Sequence, residues 1–190
     1  MSELVMGELP QEWTLDDLAR LPEDGHRYEI VDGGLHVSPP PGLSHQLAAS
    51  RLCHALRLAA PAEYEVLEGI GIGLGRSMFV PDVAVIAAQI AVSGAPLSKP
   101  ADIRLAVEIV SRSSVSMDRL LKPARYAEAG IPSYWRVEFG RSGADPTIAI
   151  HDLDGERYRQ TMVIRAGQEV EVDRPYPVVL APADLVGPRK

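Results

Sequence analysis

Apolar residues along the chain keep to a helical spacing in some stretches and to strict alternation in others, and the switches between the two define its elements. Residues 14–20, TLDDLAR, read as a short helix with Thr14 as N-cap and acidic residues in its first turn; Pro22 and Gly25 end it. The stretch HRYEIVDGGLHVSP predicts a hairpin, because Tyr28, Ile30, Leu35 and Val37 alternate about an Asp32-Gly33-Gly34 turn. A rigid Pro39-Pro40-Pro41-Gly42 loop follows. Leu47, Leu52, Ala55, Leu56 and Ala59 then recur at helical spacing, with Ser44 as the expected cap and Pro61 as the stop. Strands are expected around Tyr64–Leu67 and Gly69–Leu74, where the glycines suggest bends. The short apolar runs PDVAVIAA (81–88) and RLAVEIVS (104–111) fit buried central strands on either side of a polar loop, 89–103. A second long helix is predicted over 116–129, capped by Ser116 and stopped by Gly130-Ile131-Pro132. YWRVEF (134–139), TIAIHDL (147–153) and RYRQTMVI (157–164) complete the strands, and the proline-rich tail from Pro175 fits an irregular strand or loop. Strands, a helix and further strands in this order predict an α/β fold: a mixed central sheet flanked by two longer helices.

Length and composition narrow this picture. A chain of 190 residues, 46% of them hydrophobic, is sized for one domain spanning 1–190 with a real core. No apolar run approaches the roughly 20 residues that cross a bilayer, and MSELVMGELPQEW lacks the basic and apolar blocks of a secretory leader. The one cysteine, Cys53, cannot form an internal disulfide, and its neighbours Leu52, Ala55 and Leu56 make it a buried helix position. A reducing cytoplasm without membrane contact is the expected setting. The net charge of −7 argues against a general nucleic-acid coat, which would be basic, but not against an enzyme that holds phosphates through a metal and a few local cations.

Three residues bring chemistry into this frame. Asp82 follows Pro81 at the start of one buried strand, Glu108 lies inside the next, and Lys122 sits in the helix beyond it. A carboxylate within an apolar run such as LAVEIV is expensive unless it is paired or bound to a cation. Two adjacent strands offering Asp82 and Glu108 would present hard oxygen ligands suited to Mg²⁺ or Mn²⁺. Such an ion activates water and offsets charge on phosphoryl oxygens, and Lys122 would add a point positive charge.

The runs PDVAVI, LAVEIVSRSS and DRLLKPARYAEAGIPSYWRVE, with the hairpin YEIVDGGLHVSPPP, closely resemble the Uma2 family, a bacterial branch of the restriction-endonuclease-like PD-(D/E)XK nucleases. The resemblance covers about residues 13 to 170 and implies a restriction-endonuclease-like fold. Its implied activity is metal-dependent hydrolysis of phosphodiester bonds, with DNA as the expected nucleic-acid substrate and Mg²⁺ or Mn²⁺ as the cofactor. Residue by residue, Asp82 matches the first acid and Glu108 the second, which makes both metal ligands as well as catalytic residues. Where the wider superfamily has its lysine, two beyond the second acid, this chain has Val110; as in the Uma2 branch, the lysine comes from the next helix, here Lys122. Glu29 in the hairpin matches an additional catalytic acid of related nucleases. A homodimer is expected by analogy, because a duplex offers two strands related by two-fold symmetry.

Each of these positions also has an ordinary structural role. Asp82 fits a turn cap, Glu108 a partner for Arg104, Lys122 a solvated helix position and Glu29 an exposed hairpin position. Arg119, Lys122 and Tyr126 share a helix face by their spacing and suggest either a phosphate-facing stripe or a solvated one. His45 fits a helix start or a substrate contact, while Tyr134 and Trp135 fit the core. No Cys/His cluster suggests zinc, and Gly71-Ile72-Gly73-Leu74-Gly75 lacks the strand-loop-helix context of a dinucleotide site. A catalytically inactive nuclease-like module for nucleic-acid binding or protein interaction is the competing function, motivated by the acidity and the displaced lysine.

Overall fold

A computed structural model describes residues 10–111, 113–140 and 145–186; Arg112, most of the N-terminal stretch read for a leader, and the last four residues of the tail lie outside the described residues. The hairpin forms as expected, with β1 (Arg27–Val31) pairing antiparallel to β2 (Gly34–Ser38) so that Tyr28 faces Val37 and Ile30 faces Leu35. Asp32 and Gly33 take positive φ in the turn, a conformation glycine and aspartate tolerate best. Two short strands, β4 (Ile72–Leu74) and β5 (Ser77–Phe79), join the hairpin in a four-stranded sheet of order β2-β1-β5-β4. The run Ser77–Phe79 carries no strand expectation, since three residues are too few to establish an alternation.

The larger sheet has six strands in the order β10-β9-β8-β7-β6-β3. They are β3 (Tyr64–Glu68), β6 (Val83–Ala87), β7 (Ile103–Ile109), β8 (Ser133–Glu138), β9 (Thr147–Asp154) and β10 (Arg157–Arg165). All neighbours are antiparallel except β7 and β8, which makes the sheet mixed as expected. A parallel pair needs a crossover, and here a helix makes it, lying over one face of the sheet. A two-stranded ribbon of β11 (Val170–Val172) and β12 (Val178–Leu180) closes the far side, with the Tyr176 hydroxyl donating to the Leu56 carbonyl at 2.8 Å.

Helices cover the two faces of this sheet. The four-residue α1 (Leu15–Leu18) has Thr14 as its N-cap, as expected, and a capping box between Thr14 and Asp17. The long α2 (Leu43–Ala59) buries Ala48, Ala49, Leu52, Cys53 and Leu56 against Val83, Val85, Leu105, Val107 and Trp135. Gly42, not Ser44, is its N-cap, and Leu47 is exposed: the Pro39–Gly42 loop starts the helix earlier than expected and turns Leu47 outward. The loop 89–103 carries the short α3 (Ala88–Ala91) and a 3₁₀ turn at Pro100–Asp102. No helix among the described residues is long and apolar enough to cross a membrane.

The crossover helix departs from the expectation at its start. Ser116 lies inside the helical segment and makes no side-chain cap bond. Met117–Leu121 form a π-helical turn, with the Lys122 N–H donating to the Met117 carbonyl, before α4 (Lys122–Glu128) resumes ordinary winding. Pro123 accounts for this. It has no N–H for the Arg119 carbonyl, and its ring would press on that oxygen, so the turn before it widens. On this face Tyr126 packs with Phe79, Ala106, Ile131 and Tyr134 in a second core.

Candidate active site

Alternation along β7 decides where its acid points. Leu105, Val107 and Ile109 face α2, while Ala106 and Glu108 face the crossover helix. From that helix Lys122 Nζ comes to 3.1 Å of Glu108 Oε1, and the Tyr126 hydroxyl donates to the same oxygen at 2.8 Å. Val110, where the wider superfamily has its lysine, would extend β7 with its side chain on the Glu108 face. A lysine from the helix covering that face reaches the same acid by another route.

The neighbouring strand β6 places Asp82 beside this pair. The Asp82 N–H donates to the Val107 carbonyl, and its carboxylate Oδ2 accepts the Ile109 N–H at 2.7 Å. Strand β1 completes the arrangement. Arg27 and Glu29, two apart on one side of the strand, both grip the Val80 peptide just before Pro81-Asp82: Glu29 Oε1 accepts the Val80 N–H at 2.8 Å, and Arg27 Nη1 donates to the Val80 carbonyl at 3.2 Å. Glu29 Oε1 also meets Lys122 Nζ at 2.9 Å. All four residues singled out from the sequence thus border one cleft.

Three further groups belong to the cleft. Arg27 Nη1 lies 2.7 Å from Asp82 Oδ1, His45 Nε2 donates to Asp82 Oδ2 at 3.1 Å, and Asp118 Oδ1 stands 3.8 Å from Lys122 Nζ. The Tyr134 hydroxyl, within the second core as expected, donates to the Asp118 backbone carbonyl. Two alternative roles fall away: Arg104 bonds the backbone carbonyls of Ala101 and Ile103 rather than Glu108, and Lys122 is buried rather than solvated. The stripe of Arg119, Lys122 and Tyr126 does not form either. The π-turn rotates Arg119 away to an exposed position where it pairs with Glu138 at 2.5 Å, and the other two turn inward to Glu108.

The charge balance of the site is unusual. Glu29, Asp82, Glu108 and Asp118 are each at most 4% exposed. Among the described residues only Lys122 and Arg27 oppose them as permanent cations, so four ionised acids would leave these with an excess of two negative charges. Burial pushes the Glu108 carboxyl well above the usual range despite the nearby Lys122 ammonium, and it raises Asp118 as well. Burial acts against Asp82 too, but the hydrogen bond from His45, the Arg27 charge and the Ile109 N–H together hold it down to about 2. Lys122 is kept protonated beyond its ordinary range: desolvation is outweighed by Glu108, Glu29 and Asp118.

These residues fit a divalent cation. Among the described residues no three His, Cys, Asp or Glu side chains are already grouped as a metal cage. Asp82 Oδ1, however, is buried and accepts no directed hydrogen bond, and Glu108 borders the same cleft. The hard carboxylate oxygens of Asp82 and Glu108, in a cleft whose described cations fall two short of its acids, suit an ion of the Mg²⁺ type.

Comparison with known proteins agrees with the architecture. A crystal structure described as a putative nuclease belonging to DUF820, from Anabaena variabilis, superposes with a TM-score of 0.66 at 16% identity, over 92% of this chain and 97% of that one. No curated protein matches the chain. Residues 15–183 match the family Uma2, described as "Putative restriction endonuclease". The chain therefore belongs to the Uma2 family and has the restriction-endonuclease-like fold.

Proposed function

We propose that the cleft is the active site of a divalent-metal-dependent endonuclease that hydrolyses phosphodiester bonds in DNA. The observation that carries this reading is the buried set of four acids gathered around Asp82 and Glu108, two more than the described permanent cations beside them. Asp82 and Glu108 would hold Mg²⁺ or Mn²⁺. Such an ion supplies Lewis-acid charge opposite the phosphoryl oxygens and lowers the pKa of a water. Lys122 stays protonated at neutral pH, so it acts as a fixed positive charge and hydrogen-bond donor rather than as a base. Glu29, expected as a further catalytic acid, works here through its hold on Lys122 Nζ and the Val80 N–H, which makes it a positioning residue. Tyr126 does the same for Glu108.

An acidic chain has little general affinity for a polyanion, so productive contact must come through the metal and the few cations of the cleft. Two copies would bring two such clefts to the two strands of a duplex. The 3.1 Å approach of Lys122 to Glu108 favours this reading over a catalytically inactive binding module, because the displaced lysine does reach the acid. The test is cleavage of supercoiled plasmid with Mg²⁺, Mn²⁺ or EDTA, comparing wild type with Glu108→Ala. Metal-dependent nicking that disappears in the folded variant is expected; equal nicking by both proteins would rule the site out.

A further inference from the structure

The two carboxylate oxygens of Asp82 differ in availability. Oδ2 is occupied, accepting the Ile109 N–H at 2.7 Å and His45 Nε2 at 3.1 Å. Oδ1 is buried and accepts no directed hydrogen bond; its ion-pair partner is Arg27 Nη1 at 2.7 Å. That guanidinium nitrogen donates instead to the Val80 carbonyl at 3.2 Å. The nitrogen is thus divided between Val80 and Asp82, a shared contact that a competing cation can displace from the acid. Arg27 itself is a quarter exposed and borders the cleft, whereas Asp82 is fully enclosed. The arginine side chain reaches solvent and the acid does not.

We propose that Arg27 is a placeholder cation. It neutralises Asp82 Oδ1 until a divalent cation takes that oxygen, and the displaced guanidinium then pairs with a phosphate oxygen of the DNA strand entering the cleft. The inference rests on the metal-dependent reading above and adds to it an order of events: metal and arginine exclude each other at Asp82, and nucleic acid gives the arginine its new partner. Arginine suits the second task because its planar, permanently charged fork matches phosphate geometry. Charge favours the exchange, since putting a divalent ion in place of Arg27 lowers the deficit of the buried cluster from two to one while a phosphate restores a partner to Arg27.

The test measures Mn²⁺ binding to the protein alone, by the loss of the free-ion paramagnetic resonance signal, for wild type, Arg27→Gln and Asp82→Asn. Arg27→Gln is expected to bind Mn²⁺ at least about tenfold more tightly than wild type, and Asp82→Asn to lose binding. With Ca²⁺ in place of Mn²⁺, the slope of log affinity for a short duplex against log salt should fall by about 1 in Arg27→Gln. If Mn²⁺ binds wild type and is lost in Asp82→Asn, yet Arg27→Gln binds equally or more weakly, the placeholder role is overturned and the metal reading stands. If Mn²⁺ binds neither wild type nor Arg27→Gln, both fall together. Should Arg27→Gln be unfolded without metal, Mn²⁺ must restore its melting transition, and failure to do so also overturns the proposal.

Discussion

Replacing Lys122 by methionine removes the ammonium while keeping much of the stem that passes Phe79, whose ring centre lies 6.0 Å from Nζ. The loss falls on three acids at once, since Nζ stands 2.9 Å from Glu29, 3.1 Å from Glu108 and 3.8 Å from Asp118, all enclosed. Attraction in such surroundings is large for each pair but is mostly offset by lost hydration. The useful guide is therefore the cost of deleting one partner of a buried pair, about 3–5 kcal/mol. For a chain of this length each kcal/mol lowers Tm by about 2–4 °C, which predicts a drop of roughly 6–20 °C near neutral pH. The pH dependence separates this cause from a packing defect. Lys122 has a folded pKa above its unfolded value, so its contribution is fully present below about pH 10 and does not titrate between pH 5 and 8. In the variant, the enclosed acids must either ionise without a cation or take up protons that the unfolded chain has released above about pH 4.3. The deficit of Lys122→Met against wild type should therefore widen from pH 5 to pH 8 in thermal or urea unfolding. A loss below about 1 kcal/mol at pH 7.5, or one that is flat with pH, would refute the idea that Lys122 neutralises this cluster.

Glu108→Gln should abolish metal-dependent cleavage yet unfold no more easily than wild type at pH 8. The folded pKa of Glu108 is raised, so wild type loses stability as pH rises above its unfolded range, and a melting series should show the variant gaining on it over that interval. Tyr126→Phe removes a buried donor to a carboxylate and should cost about 1.5–3 kcal/mol, read as a lower urea midpoint. Mg²⁺ or Mn²⁺ at about a hundred times its dissociation constant should stabilise wild type by about 2.7 kcal/mol, and Asp82→Asn should show no such shift in Tm. Leu52→Ala, in the core beneath α2 and away from the cleft, should destabilise by about 2–5 kcal/mol while leaving kcat of the remaining folded protein unchanged.

The architecture was largely legible because its long elements repeat one period. β6 and β7 are buried on both faces and read as mostly apolar runs, and α2 shows its helical spacing through Leu52, Cys53 and Leu56. What escaped were pieces too short to show a period, such as β5 at Ser77–Phe79 and β11 at Val170–Val172. Ser44 and Ser116 were misplaced as caps for another reason: a serine near a helix start marks a boundary only if no other residue ends the preceding loop, and here Gly42 and the turn before Val115 do so.

The site was legible where a charge interrupts an apolar run, as at Asp82 and Glu108, since such a residue demands an explanation from the sequence alone. Arg27 also left a trace, standing two residues before Glu29 on an alternating strand, but a cation at a strand edge is ordinary until Val80 is seen between the two. Asp118 left a trace too, standing four residues before Lys122, a spacing that puts the two on one helix face. Regular winding puts Arg119, Lys122 and Tyr126 on one stripe with Asp118 beside them, and does not say which of Asp118 and Arg119 turns inward with the lysine. The widened turn at Met117–Leu121 changes that assignment, sending Arg119 out to Glu138 and leaving Asp118 enclosed beside Lys122. The turn widens because Pro123 follows the lysine, so one residue that touches neither acid nor substrate decides which charges meet in the cleft. A sequence reading that treats a proline just after a lysine as a change of helical phase, rather than only as a helix start, would have separated Arg119 from Lys122 and left its i,i+4 neighbour Asp118 in the cleft.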